Sequence, residues 1–315
     1  MQLRNLGTTG LRIAPLVLGG NVFGWTADQE TSFAILDAFR AAEFNAIDTA
    51  DVYARFAPGR EGGESETVLG AWMKERGARK DIVLITKGGL EMGKGLQGLG
   101  REYLLKACDA SLSRLQTDHI DVYMSHRADP SVPIEETLEA FDRLIKAGKV
   151  RYAGCSNYTA EELAAALAAA GMGRASYTVL EPYYNLVDRG EYEGAVENIC
   201  RDHGLGVVCY FSLASGFLTG KYRKPEDIAA RPRARLLSRY FTPRGLKLLE
   251  VLDRVSARHR ATPAQVALAW LMTRPGITAP IASATSVAQL SDILKSAELT
   301  LTREDLVELE LNGTG

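Results

Sequence analysis

The chain has 315 residues, 46% hydrophobic and 24% charged, with 37 basic against 39 acidic side chains and a formal net charge of −2. This composition excludes disorder, collagen and a small disulfide scaffold, and the length suffices for a large core without metals or cross-links. The segment from Lys221 to Arg239 is locally basic, but no block reads as a nucleic-acid footprint, and no apolar run reaches the roughly 18 residues a membrane span needs. The N-terminus lacks a positive region leading into an apolar segment, so no signal peptide is expected. Cys108, Cys155, Cys200 and Cys209 form no C-x-x-C pair and sit in apolar surroundings, as buried thiols of a cytoplasmic protein do.

In chain order, Leu3–Leu6, Gly7-Thr8-Thr9-Gly10 and Leu11–Ile13 read as a β-hairpin. Short apolar runs then alternate with helical patterns. The predicted strands are Leu16–Leu18, Ala46–Asp48, Ile82–Thr86, Ile120–Met124, Tyr152–Cys155, Thr178–Glu181, Gly206–Tyr210 and Thr278–Ile281. The predicted helices between them are Gln29–Ala42, Ser65–Arg76, Arg101–Leu115, Ile134–Ala147, Ala160–Ala170 and Tyr192–His203. Pro243–His259 and Pro263–Met272 fall between the last two strands, and Val287–Ala297 follows the eighth. Eight strand–helix units point to a single (β/α)8 TIM barrel spanning residues 1–315, preceded by the hairpin. A doubly wound open sheet shares the alternation. The unit count, and a first turn (Gly19-Gly20-Asn21-Val22-Phe23-Gly24) that departs from G-x-G-x-x-G, favour the barrel. Two loops exceed what a bare barrel needs, Ala54–Gly63 and Lys221–Tyr240.

Catalytic groups of such a barrel come from the carboxyl ends of its strands. Those ends carry Asp48 and, just beyond, Tyr53; then Lys87, His126, Ser156 with Asn157, Glu181, Tyr210 and Ser283. Each has a plain reading alone: Asp48 as a turn cap, Lys87 as a solvated strand end, His126 as a core histidine, Asn157 as a helix cap, Tyr210 as packing. Together, Asp48, Tyr53, Lys87 and His126 match protonation of a carbonyl oxygen as a hydride arrives. A lysine ammonium beside a tyrosine favours the phenolate, and lowering that pKa by roughly 3 units takes about 4 kcal/mol, available only where water is partly excluded. Trp25, Phe56 and Tyr158 are candidates for a substrate pocket, each equally readable as packing.

The sequence resembles the aldo-keto reductase superfamily over nearly its whole length. The resemblance rests on Asn45-Ala46-Ile47-Asp48-Thr49-Ala50-Asp51-Val52-Tyr53, Gly63-Glu64-Ser65-Glu66, Thr86-Lys87, Ser125-His126-Arg127, Gly154-Cys155-Ser156-Asn157-Tyr158, Tyr184-Asn185-Leu186 and Leu218-Thr219-Gly220-Lys221, in that order. It implies an NAD(P)H-dependent reductase of aldehydes or ketones. Tyr53 would be the general acid, Lys87 its tuner, Asp48 the anchor of Lys87, and His126 the group orienting the substrate oxygen. It also implies that Ser156, Asn157 and Glu181 bind the nicotinamide carboxamide and that Tyr210 stacks on its ring. Ser212, Leu213 and Lys221 would serve the pyrophosphate, and Ser283, Thr285 and Gln289 the adenosine end. The substrate would be a small carbonyl or alcohol, with Trp25 and Phe56 lining its site. Arg55 and Arg60 leave anionic, sugar and aryl carbonyls open, and the oligomeric state is unread.

Three departures stand out, one being Phe211 and Ser212 in place of the Ser-Pro that commonly follows the stacking tyrosine. Glu181 replaces the family's usual Gln; a carboxylate accepts from an amide NH2 but cannot donate to its oxygen. The stretch Ala282–Gln289 lacks the Lys or Arg often found at a 2′-phosphate, which leaves NAD(H) possible, with Arg231, Arg233 and Arg235 as further sources of charge; the resemblance itself implies that NADP(H) is preferred. Two rivals remain: a cofactor-binding regulatory subunit of the same fold with little turnover, and a metal-dependent barrel hydrolase using Asp48, Asp51 and His126.

Overall fold

The computed structural model describes residues 2–55, 57–229 and 234–313. Strands β1 (Arg4–Asn5) and β2 (Arg12–Ile13) form the antiparallel hairpin. Eight parallel strands follow: β3 (Val17–Gly19), β4 (Ala46–Asp48), β5 (Val83–Gly88), β6 (Ile120–Ser125), β7 (Val150–Ser156), β8 (Tyr177–Glu181), β9 (Gly206–Cys209) and β10 (Ala279–Ala282). They pair in sequence order, and β10 closes on β3, so the sheet is a barrel and not an open sheet. Between them run α1 (Gln29–Ala41), α2 (Glu64–Arg76), α3 (Arg101–Leu115), α4 (Ile134–Lys146), α5 (Ala160–Ala169) and α6 (Ala195–His203). Then come α7 (Ala234–Ser238), α8 (Pro243–His259), α9 (Pro263–Thr273), α10 (Val287–Leu294) and α11 (Arg303–Gly313).

Alternation of strand side chains divides the core in two. Val17, Ala46, Val83, Ile85, Val122, Met124, Val179, Val208, Ala279 and Ile281 fill the barrel interior. The intervening residues, among them Ile47, Leu84, Tyr123, Cys155 and Leu180, face the helices in the larger outer layer. Leu6 and Ile13 of the hairpin are fully buried and belong to the interior set, so the hairpin plugs one end of the barrel. The turn reaches that depth because Gly7 has φ +56° and a Cβ there would lie 2.2 Å from the Gly206 nitrogen.

Local chemistry accounts for the helix ends. Thr159 and Glu162 form a reciprocal capping box at α5, as Thr262 and Gln265 do at α9, and Pro243 and Pro263 occupy first-turn positions. The helix expected from Tyr192 begins at Ala195, because Gly194 at φ +94° leaves the helical region. The one expected to Ala297 ends at Leu294 and tightens into a 3-10 turn over Lys295–Ala297. Helix α11 was not expected. It packs on α8, with Asp305 accepting from Arg258 at 2.7 Å and His259 Nε2 lying 2.6 Å from the same carboxylate. The four cysteines are buried and free.

Candidate active site

Two-residue periodicity carries the site residues inward. Asp48 follows Ala46, Lys87 follows Ile85, His126 follows Met124, Glu181 follows Val179, Tyr210 follows Val208 and Ser283 follows Ile281, in each case two positions after an interior apolar residue. The barrel interior is therefore apolar below and polar at its carboxyl end. The loop after β4 turns Tyr53 back over that end.

Lys87 is fully buried at the centre. Its Nζ donates to Asp48 Oδ1 at 2.5 Å, to the Thr49 carbonyl at 3.1 Å and to the Tyr53 hydroxyl at 3.0 Å, and it lies 3.3 Å from Glu181 Oε1. The Tyr53 hydroxyl donates to Asp48 Oδ2 at 3.1 Å. His126 meets the Tyr53 ring edge-on, centroids 6.1 Å apart, and its Nδ1 is buried with no partner. The four side chains expected to act together are thus assembled in one place.

Burial disfavours the Lys87 ammonium, yet the Asp48 charge, joined by Glu181 when that group is ionised, outweighs it and holds its pKa well above the usual value. Burial, and then the charges of Lys87 and Arg127, push His126 well below its usual pKa, so the imidazole is neutral at pH 7. Tyr53 departs from expectation: its pKa is raised well above 10, because burial and the Asp48 charge outweigh Lys87, with Glu181 adding to the rise when it is ionised. The lysine moderates the phenol and does not turn it into a strong acid.

Next to this cluster, the Ser156 hydroxyl donates to the Glu181 carbonyl at 2.8 Å, and Asn157 Nδ2 donates to the His126 carbonyl at 2.9 Å. The Tyr210 hydroxyl donates to Asn157 Oδ1 at 2.5 Å, and its ring stands edge-on to Tyr183. Asn157 adopts φ +57°, a conformation asparagine tolerates better than most residues and one that turns the chain sharply after β7. Beyond β9, Phe211, Ala214, Ser215 and Gly216 all have positive φ, and the Ser215 hydroxyl is buried without a partner. Successive turns of this kind form concave nests of backbone N–H groups suited to anions. The Lys221 ammonium lies beside them, 3.8 Å from where a Gly216 Cβ would sit.

Other predicted residues bond within their own turns or to one another. The Ser212 hydroxyl is buried and donates to the Cys209 carbonyl, so that side chain serves its own turn. The Leu213 side chain packs on the outer core while its carbonyl accepts from Gly216 N. Thr285 and Gln289 bond each other, Thr285 N and Oγ1 both donating to Gln289 Oε1 at 3.0 Å, and the Ser283 hydroxyl donates to Asn21 Oδ1. Trp25 lines a cavity of about 570 Å3 with Asp28, Arg60 and Glu64, which none of Asp48, Tyr53, Lys87 and His126 lines. Arg55 is turned to Glu91, and the buried Tyr158 hydroxyl pairs with Tyr177 at 3.1 Å, a packing role. Arg235 is exposed; Phe56, Arg231 and Arg233 lie outside the described residues.

The metal alternative does not assemble, since Lys87 and Tyr53 occupy both Asp48 oxygens. Among the described residues no three His, Cys, Asp or Glu side chains group to hold an ion. No helix of the described residues is long and apolar enough to cross a membrane. Sequence reasoning missed the contact of Glu181 with Lys87. It also missed the clamp at the 221–240 loop, where Tyr183, Tyr240 and Arg239 all bond Asp188. The alternation ending at Glu181 was a usable signal for the first; residues so far apart in sequence left none for the second.

A sequence model of the Aldo/keto reductase family matches residues 15–311. The chain is 35% identical, over 97% of its length and 94% of that protein's, to the uncharacterized oxidoreductase YrpG of Bacillus subtilis (strain 168). It is 34% identical to a probable voltage-gated potassium channel subunit beta of Arabidopsis thaliana, over 95% of this chain and 92% of that one. It is 32% identical to the NADP(+) aldo-keto reductase yakc of Schizosaccharomyces pombe, over 78% and 74% of the two chains.

Proposed function

The chain belongs to the aldo/keto reductase family, and from that premise we propose that it reduces aldehyde or ketone carbonyls to alcohols with NAD(P)H, Tyr53 acting as general acid/base. The observation that carries this is the Tyr53 hydroxyl held at 3.0 Å from the Lys87 ammonium and 3.1 Å from the Asp48 carboxylate, at the mouth of the barrel. The whole chain acts as one domain, in the cytoplasm, on a small-molecule substrate.

The residues present fit a dinucleotide. Ser156, Asn157, Glu181 and Tyr210 would hold the nicotinamide end, and the nest at Phe211–Gly216 with Lys221 the phosphates. Ser283, Thr285 and Gln289 would hold the adenosine end. When bound, a reduced nicotinamide supplies the hydride. Tyr53 keeps its proton across the neutral range and delivers it to the substrate oxygen as that oxygen gains charge. Neutral His126 orients the same oxygen from the other side. Lys87 stabilises the phenolate left behind, which regains its proton from solvent, and Asp48 holds Lys87 in place. NADP(H) is the proposed cofactor, a reading supported by the NADP(+) in the name of the fission-yeast relative. NAD(H) follows if Ser283, Thr285 and Gln289 bind no 2′-phosphate.

The test is NADPH oxidation with a reactive aryl aldehyde, alongside fluorescence titration with NADPH and NADH. Tyr53→Phe is expected to lower turnover by about 10³-fold or more while leaving cofactor affinity nearly unchanged. Turnover by Y53F at the original rate removes the acid assignment. The similarity to a channel beta subunit favours a second reading, a cofactor-binding subunit with little turnover. Tight cofactor binding without aldehyde reduction by the unaltered protein selects it.

A further inference from the structure

Lys87 is shared by two buried carboxyl groups. Asp48 and Glu181 are each 2% exposed, and one ammonium stands between them at 2.5 Å and 3.3 Å. Two ionised carboxylates on one lysine would leave an uncompensated negative charge inside the barrel, a costly arrangement that is avoided by binding a proton.

The hydrogen bonds decide where that proton rests. Asp48 accepts from Lys87 through one oxygen and from the Tyr53 hydroxyl through the other, both of which favour its ionised form. Glu181 has the longer contact to Lys87 and a hydrogen bond with the Asp48 carboxyl, which a proton on Glu181 supplies, and its Oε2 is buried with no donor at all. An oxygen with no donor is where a carboxyl proton costs least. We propose that Glu181 is a protonated, neutral carboxylic acid at pH 7 and a positioning residue that sets the charge felt by Lys87 and Tyr53.

Other groups facing Glu181 do not supply a compensating charge. Asp48 on β4 and Lys87 on β5 are its charged neighbours; Tyr53, Tyr210 and Cys209 are the remaining titratable ones, all with pKa values pushed up by burial. Burial and the Asp48 charge drive the Glu181 pKa well upward as well. The consequence, which rests on the reductase reading, concerns Tyr53. Ionised, Glu181 would add a negative charge that raises the Tyr53 pKa and weakens it as an acid; neutral, it leaves the balance to Asp48 and Lys87. As pH rises and Glu181 loses its proton to solvent, carbonyl reduction should fall by about tenfold, the part of a single-charge effect across a partly screened site that reaches the transition state. The position occupied by Gln in the resembled family is thus filled by a group that is neutral, like Gln, only below its own pKa.

The test has two arms. First, infrared spectra of the cofactor-free protein at pH 7, unlabelled and with glutamate or aspartate carboxyl groups labelled with carbon-13, report buried protonated carboxyls directly. A carboxylic-acid band that moves with labelled glutamate and disappears in Glu181→Gln is expected. A band that moves only with labelled aspartate, or no band, overturns the proposal, and the labelled unaltered protein decides this even if E181Q does not fold. Second, the pH profile of kcat/KM for NADPH-dependent aldehyde reduction should show an alkaline limb that is absent from E181Q. Superimposable profiles overturn the role assigned to Glu181. A glutamate band in a protein that reduces no aldehyde would leave the proton on Glu181 standing and fail the reductase reading alone.

Discussion

At the residue scale the barrel mouth shows how environment assigns different tasks to chemically similar groups. Asp48 and Asp51 are three residues apart and both nearly inaccessible. Asp48 is tied to Lys87 and Tyr53, whereas both Asp51 oxygens are buried without partners. Burial and the nearby Glu66 charge push Asp51 up to about 8. A carboxyl whose folded pKa is raised binds its proton more tightly folded than unfolded. Its ionisation therefore costs stability progressively from the unfolded pKa near 4 up to the folded value. Asp51→Asn escapes that cost, so its melting temperature relative to the unaltered protein should climb between pH 5 and pH 8.5, by an amount corresponding to on the order of a few kcal/mol. Calorimetric scans across that range check this; a constant difference would show that Asp51 is already ionised at pH 5. The identity of Asp48, Tyr53, Lys87 and His126 was legible in the sequence because they follow apolar strands in order. The protonation state of each was not, because it depends on neighbours brought from other strands.

At the element scale the hairpin depends on two glycines that meet from opposite ends of the sequence. A Cβ on Gly7 would lie 2.2 Å from Gly206 N, and one on Gly206 would lie 2.7 Å from the Leu6 side chain. Gly7→Ala adds the strain of positive φ to that overlap, and urea denaturation should show a loss of roughly 2–4 kcal/mol. Activity of the protein that remains folded should change little, since the plug and the Lys87 cluster lie at opposite ends of the barrel interior. A loss below 0.5 kcal/mol, the scale of an ordinary surface substitution, would mean that the hairpin is not seated as described. The predicted strands matched the observed ones to within two residues, because the period of apolar residues is set locally. Helix α11 escaped notice because its mixed sequence, Arg303–Gly313, shows no clear apolar face; contacts with α8 hold it.

Across the whole molecule, α11 is the last clasp on the outer layer. Asp305 takes Arg258 and His259 from α8 and caps its own helix through Thr302, and Arg258 also holds Glu308. Desolvation alone would raise the Asp305 carboxyl, but these hydrogen bonds hold it well below the usual carboxylate range. A depressed pKa contributes stability that is present above the unfolded pKa and lost as pH falls toward the folded one. Arg258→Ala should therefore destabilise by about 1–2 kcal/mol at pH 7 and by nearly as much at pH 3, where the folded Asp305 carboxylate is still ionised, as thermal melts at the two pH values would reveal. Arg258→Met, which keeps an aliphatic stem, should lose nearly as much, and full stability of R258M would assign the effect of Arg258 to packing of that stem.

The sequence by itself determined the eight-unit alternation, the closed barrel it predicts, the hairpin ahead of it and the polar residues at the strand ends. These follow from local periodicity, which each short segment carries alone. Only the tertiary structure decided what those residues do to one another. It set Glu181 against Lys87, raised Tyr53 where a lone lysine would have lowered it, and turned the Ser212 hydroxyl into its own turn. It also bound the 221–240 loop to Asp188. Burial and Coulomb interaction act through distance in space, and the barrel brings together side chains that the chain separates by dozens of residues.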